Sequence, residues 1–126
     1  MFRIVPQLSV TDIRRSVRFY VERLGFAVSV EDPPGDPSFV SLAREEAALF
    51  LVSAAARDDP FSPAGGAGWR GTGIRLYFEV DDAAELHAAL RRGGVEGLGE
   101  LTFNEEEQYT EFRLRDPDGY ELGVYS

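Results

Sequence analysis

Two stretches of this chain carry ionisable and aromatic side chains at the two-residue spacing of a β-strand. In residues 74–80, Arg75, Tyr77 and Glu79 alternate with Ile74, Leu76, Phe78 and Val80. In the closing stretch EFRLRDPDGYELGVYS, Arg113, Arg115, Glu121, Gly123 and Tyr125 alternate with Phe112, Leu114, Leu122 and Val124. Each stretch therefore has one apolar face and one mixed face, and the chemistry has to come from the mixed one. Glu79 or Glu121 could act there as a general base, with Arg75 stabilising an enolate-like charge. An arginine close by lowers a carboxylate's pKa, which makes it a weaker base. The same residue types serve binding better, since aromatic rings wall a small-molecule site and a few charged groups orient what enters it.

Other constellations are missing. The chain has no cysteine, which removes disulfides, thiolate nucleophiles and thiolate metal sites. The single histidine, His87, falls beside the Leu86/Leu90 stripe of a helix and is expected to be solvated or to flank that stripe. No Ser-His-Asp, P-loop or Rossmann pattern occurs, and the Gly-x-Gly stretches in residues 66–73 lack a strand before and a helix after.

Composition narrows the class further. At 126 residues, 44% hydrophobic and 28% charged, the chain is long enough for one good core and too short for two independent ones. A formal charge of −9 opposes nucleic acid, whose phosphates need clustered cations. No apolar run approaches the roughly 20 residues of a membrane span, and residues 1–6 lack a signal-peptide pattern. A cytoplasmic protein is expected, with neither a nucleic-acid nor a membrane partner.

The elements that must position the mixed faces are legible in order. Residues 3–10 read as a strand, with Pro6 restricting it to an edge or bulge. Thr11 and Asp12 cap a helix over 13–24, where Ile13, Val17, Tyr20, Val21 and Leu24 recur at spacings of three and four, and Gly25 suits the exit. Residues 26–30 form a strand, 31–37 a loop, and 39–42 with 47–52 a hairpin around 43–46. A Gly/Ala/Pro-rich loop over 54–73 carries Phe61 and Trp69. The strand at 74–80 follows, then a helix opened by the capping box Asp82 to Glu85 and closed by Gly93 and Gly94. A short strand near Val95, a strand over 100–103, an acidic turn at 104–107 and a hairpin around Asp116-Pro117-Asp118-Gly119 complete the chain. The halves repeat: Val10-Thr11-Asp12 matches Val80-Asp81-Asp82 at an offset of 70, and the hairpin ending at Ser53 matches the one ending at Ser126 at an offset of 73.

Two β-α-β-β-β halves, an opening strand leading to Val-x-Asp, the helix Ser16-Val-Arg-Phe19-Tyr20 running to Leu24-Gly25-Phe26, and the final Asp-Pro-Asp-Gly hairpin resemble the glyoxalase/bleomycin-resistance/extradiol-dioxygenase family, the vicinal oxygen chelate superfamily. The resemblance implies an α+β fold: a single domain over 1–126 made of two βαβββ modules, about 1–53 and 74–126, joined by the loop 54–73. Their strands would form an open, cup-like curved mixed sheet with helices outside. It also implies a cup lined by Gln7, Phe50, Arg75, Tyr77, Glu79, Glu121 and Tyr125, with Trp69 and Phe61 on the loop above. Metal-dependent relatives place their ligands at positions held here by Val5, Phe50, Arg75 and Gly123, none of which is a ligand. The expectation is a metal-independent binding protein without cofactor, closest to the bleomycin-resistance branch. It would sequester a planar or cationic small molecule as a homodimer. The alternatives are a glyoxalase-like lyase or isomerase, or another enzyme of the superfamily with a non-standard active site, and a module whose cup is filled by its own side chains.

Overall fold

Asp12 and Asp82 start the two helices in the same way. Each has extended backbone, and its carboxylate accepts from the amide three residues on, Arg15 or Glu85. That satisfies one of the amides every helix start leaves without a partner. The computed structural model describes residues 1–55 and 71–126. The chain divides into two compact units, Met1–Arg70 and Gly71–Ser126.

The first unit runs β1 (Gln7–Val10), α1 (Ile13–Arg18), β2 (Ala27–Asp32), β3 (Phe39–Arg44) and β4 (Ala47–Ser53). The second runs β5 (Leu76–Glu79), α2 (Ala83–Arg92), β6 (Thr102–Asn104), β7 (Tyr109–Arg115) and β8 (Glu121–Tyr125). Each unit builds a four-stranded mixed sheet, ordered β1-β4-β3-β2 and β5-β8-β7-β6. The first strand pairs parallel with the last, and the other pairings are antiparallel. The fold is thus α+β, two βαβββ modules with open sheets, as the repeat implies. The expected loop over 54–73, with Phe61 and Trp69, lies mostly outside the described residues.

Alternation decides what each sheet buries. Phe112, Leu114, Leu122 and Val124 are all buried, together with Ala83 and Leu90 of α2. In the first unit Leu8, Val10, Leu42, Leu49 and Leu51 are buried, with Ile13 and Tyr20 from the helix. Each fully buried side chain of this kind contributes about 1.5–3 kcal/mol relative to exposure.

Several boundaries differ from the sequence reading. β1 begins only after Pro6, which has no amide to donate, although its carbonyl still accepts from the Phe50 amide at 2.9 Å. The first helix does not stay α-helical to Leu24: it widens into a π-helical turn over Phe19–Arg23. Ser16 is fully buried while Val17 and Val21 are half-buried, so the inward stripe is Ile13, Ser16, Tyr20 and Leu24. The strand expected near Val95 is absent, because the Val95 amide donates back to the Leu90 carbonyl at 3.2 Å and closes the helix instead. The next strand, β6, is displaced to Thr102–Asn104.

His87 also corrects the expectation. It lies on the buried stripe with Ala83 and Leu90 rather than beside it. Its ring meets Phe112 edge-on at 5.0 Å, and Nε2 is 2.9 Å from the Gly99 carbonyl. A carbonyl only accepts, so Nε2 carries the proton.

The Asp116-Pro117-Asp118-Gly119 turn fixes the β7–β8 hairpin. Buried Asp116 accepts from the amides of Asp118 and Tyr120, both at 2.9 Å, while Gly119 takes φ +89. Asp116→Ala leaves two amides without that acceptor and is expected to cost about 2–4 kcal/mol in urea unfolding, against about 1 kcal/mol for the exposed helix cap Asp82→Ala. Equal losses for the two variants would show that Pro117 and Gly119 set the turn by themselves.

Candidate ligand-binding face

The mixed face of the second sheet is set by strand register. Arg75 precedes β5 and reaches Glu121 on β8, which pairs with Arg115 on β7. The next row is Tyr77, Gly123 and Arg113, and the row after it is Glu79, Tyr125 and Glu111. Period-two alternation brings all three rows to the face opposite the buried one. Five of the residues expected to line the site, Arg75, Tyr77, Glu79, Glu121 and Tyr125, therefore share one surface.

Arg75 and Glu121 form an ion pair rather than two separate anchors. Nε and Nη2 of Arg75 donate to Oε1 of Glu121 at 2.9 and 2.7 Å, and each side chain is about one-third exposed, 31% and 34%. Hydrogen bonding to Glu121, then to the Tyr77 side chain, raises the Arg75 pKa further above its already high value. Folding thus gains from a charged Arg75 at every pH below the guanidinium range, and the gain would be lost only above it. Two of the five guanidinium N–H donors of Arg75 are thereby turned to Glu121.

Tyr77 explains Gly123. A β-carbon built at 123 would overlap Cδ1, Cε1 and Cζ of the Tyr77 ring, so the ring lies across the β8 backbone and needs glycine beneath it. Tyr77 remains 44% exposed. Tyr125 meets the Tyr77 ring at 6.1 Å and the Tyr109 ring at 6.3 Å, both edge-on, making a row of three tyrosines. Sequence reasoning missed Tyr109, although the alternation that sets Glu111 and Arg113 opposite Phe112 and Leu114 extends back to it.

Arg113 was read only as part of a mixed face. It lies directly opposite Gly123, is half-exposed, and comes no closer than 3.9 Å to Glu111. That distance is an ion pair without a hydrogen bond.

The first sheet carries the same pairing with its bulk exchanged. Gln7 on β1 pairs with Phe50 on β4 in the parallel register that Tyr77 and Gly123 hold in the second unit. Here the large ring is on the last strand, and it packs against Phe39 at 5.2 Å. Gln7 is exposed and Phe50 half-buried. Trp69 lies outside the described residues. A separate groove of about 240 Å³ lies in the first unit between α1 and the outer strands, lined by Arg14, Val17, Val28 and Val40 among others. None of the expected site residues faces it, and Arg14 spans it to the Gly35 carbonyl at 2.7 Å.

Residues 3–124 match the family described as the Glyoxalase/Bleomycin resistance protein/Dioxygenase superfamily, and the chain belongs to it. Among solved structures, it is similar to TnmS3, an antibiotic binding protein from Streptomyces sp. CB03234, with 23% identity, 98% and 94% of the two chains covered, and a TM-score of 0.72. TioX from Micromonospora sp. ML1 is similar at 18% identity, 98% and 94% coverage and a TM-score of 0.75. A lactoylglutathione lyase from Agrobacterium tumefaciens is similar at 17% identity, 98% and 92% coverage and a TM-score of 0.70. At these identities the likeness is one of fold. No curated protein matches the sequence.

The interlock of Tyr77 with Gly123 is testable as a coupling. Gly123→Ala is expected to cost about 1–3 kcal/mol by overpacking, and under about 0.5 kcal/mol when Tyr77→Ala has already removed the ring. Equal costs in both backgrounds, measured by chemical unfolding, would show that the ring does not require the glycine.

Proposed function

We propose that this protein is a metal-independent small-molecule binding protein that sequesters its ligand. The observation that carries the reading is Tyr77 over Gly123. In metal-dependent relatives the family resemblance places a carboxylate at this position. Here the space is taken by a tyrosine ring, and Arg75, at another ligand position, brings a permanent cation paired to Glu121. Val5 and Phe50, at the remaining positions, offer no donor. Among the described residues no group of three or more His, Asp or Glu side chains could hold a metal ion. This donor set does not fit a divalent cation.

The ligand face in this reading comprises Tyr77, Tyr125 and Glu79 of the second unit, with the Arg75–Glu121 pair at one end; in the first unit Gln7 and Phe50 hold the matching register positions. Support comes from the antibiotic-binding description of TnmS3, which shares the fold. An enzymatic reading would rest on Glu79 or on Oε2 of Glu121, since Oε1 of Glu121 accepts both hydrogen bonds from Arg75.

The proposal includes a single domain formed by both modules, a homodimer and a cytoplasmic location. The exposed edge strands support the dimer: Val28 and Val30 on β2 and Phe103 on β6 are apolar and 43–57% exposed. Among the described residues, no helix is long and apolar enough to cross a membrane.

Native mass spectrometry after chelation should show a dimer without stoichiometric metal. Titration calorimetry with bleomycin-type glycopeptides and cationic planar aromatics should find a micromolar or tighter ligand, weakened about fivefold by Tyr77→Ala. Silence across the whole panel would sink the sequestration reading, and retained zinc, iron, nickel or manganese would sink its metal independence.

A further inference from the structure

The open face of the second sheet carries a charge axis that the binding reading alone does not require. Along β8 the row containing Glu121 has two arginines and one carboxylate, so it is net positive. The row containing Gly123 adds Arg113 and no acid, and the row containing Tyr125 has Glu79 and Glu111 and no base. Charge therefore runs from positive to negative along the strands. Successive rows are about 7 Å apart, and the first and last about 13 Å.

The groups available to a ligand sharpen this axis. Arg75 is committed to Glu121, whereas Arg113 stands 3.9 Å from Glu111, too far for a hydrogen bond, with half its side chain exposed. Glu79 is exposed in the acidic row, one row further along and two strands away on β5. Between them the Tyr77 ring lies with one side against Gly123 and is 44% exposed, so its other side can stack on a planar group.

We propose that this face selects an amphoteric planar ligand, with its anionic group at Arg113 and its cationic group at Glu79. The inference rests on the binding function above and adds the polarity of the ligand to it. Neither a purely cationic nor a purely anionic aromatic satisfies both ends. The protein's overall charge of −9 favours cations at long range, so Arg113 is the group that admits an acid.

Three rigid probes separate the possibilities: 4′-(aminomethyl)biphenyl-4-carboxylic acid, biphenyl-4-carboxylic acid and 4-phenylbenzylamine, each titrated calorimetrically at pH 7 and low salt. The zwitterion is expected to bind about tenfold or more tightly than either singly charged probe. Arg113→Gln should remove its advantage over the amine, and Glu79→Gln its advantage over the acid, with circular dichroism and melting unchanged. Should Glu79→Gln fail to fold, Glu79→Ala removes the same charge.

Equal binding of the amine and the zwitterion, or an Arg113→Gln effect that is the same for all three probes, overturns the charge axis and leaves the binding function standing. The charge axis is equally overturned, with binding intact, if none of the three binds while a glycopeptide or cationic aromatic does. If nothing binds at all, both readings fail together.

Discussion

Parallel pairing of the first strand of each unit with its last is the constraint on which the remaining structure depends. Two parallel strands cannot be joined by a tight turn, so the chain must leave the sheet and cross back, and in both units the crossing begins with a helix. The helix buries one sheet face: Leu122, Val124, Phe112 and Leu114 are inside the second unit for this reason. The opposite face is relieved of core duty. Only there can arginine, glutamate and tyrosine gather without a desolvation cost that their partners would have to offset.

That freedom has been used differently in the two units. Both hold a parallel pair at the same place in the register, Gln7 with Phe50 and Tyr77 with Gly123. Each pair contains one aromatic ring and one smaller side chain, but the ring has changed strands. In the first unit Phe50 packs on Phe39, whereas in the second Tyr77 lies over bare backbone. The exchange matters because a ring on β5 closes the position a ligating side chain at 123 would need. It leaves an aromatic surface flanked by charge.

Support for this surface comes from behind and from its edge. His87 on α2 donates to the Gly99 carbonyl, and the Gly99 amide donates to the carbonyl of Arg113 at 2.7 Å. A β-carbon at 99 would strike that same carbonyl, so the close approach needs glycine. The buried histidine therefore ties helix, turn and β7 together, with its Nε2 proton held by a carbonyl.

Period-two alternation, the aspartate caps and the Asp-Pro-Asp-Gly turn are local, and the sequence alone determined them: both modules, both helix starts and the shared face of Arg75, Tyr77, Glu79, Glu121 and Tyr125. The resemblance to the superfamily rested on those same local signals, since their order and spacing survive at low identity. Register across strands is not local. Only the fold showed that Arg75 pairs with Glu121, that Tyr77 lies over Gly123 and that Arg113 faces the same glycine, because these contacts join residues far apart in the chain. The buried Ser16 of α1, the π-helical turn after it, the Val95 amide that closes a helix and the inward His87 were equally hidden. For His87, a carbonyl twelve residues on in the chain outweighed what the local pattern preferred.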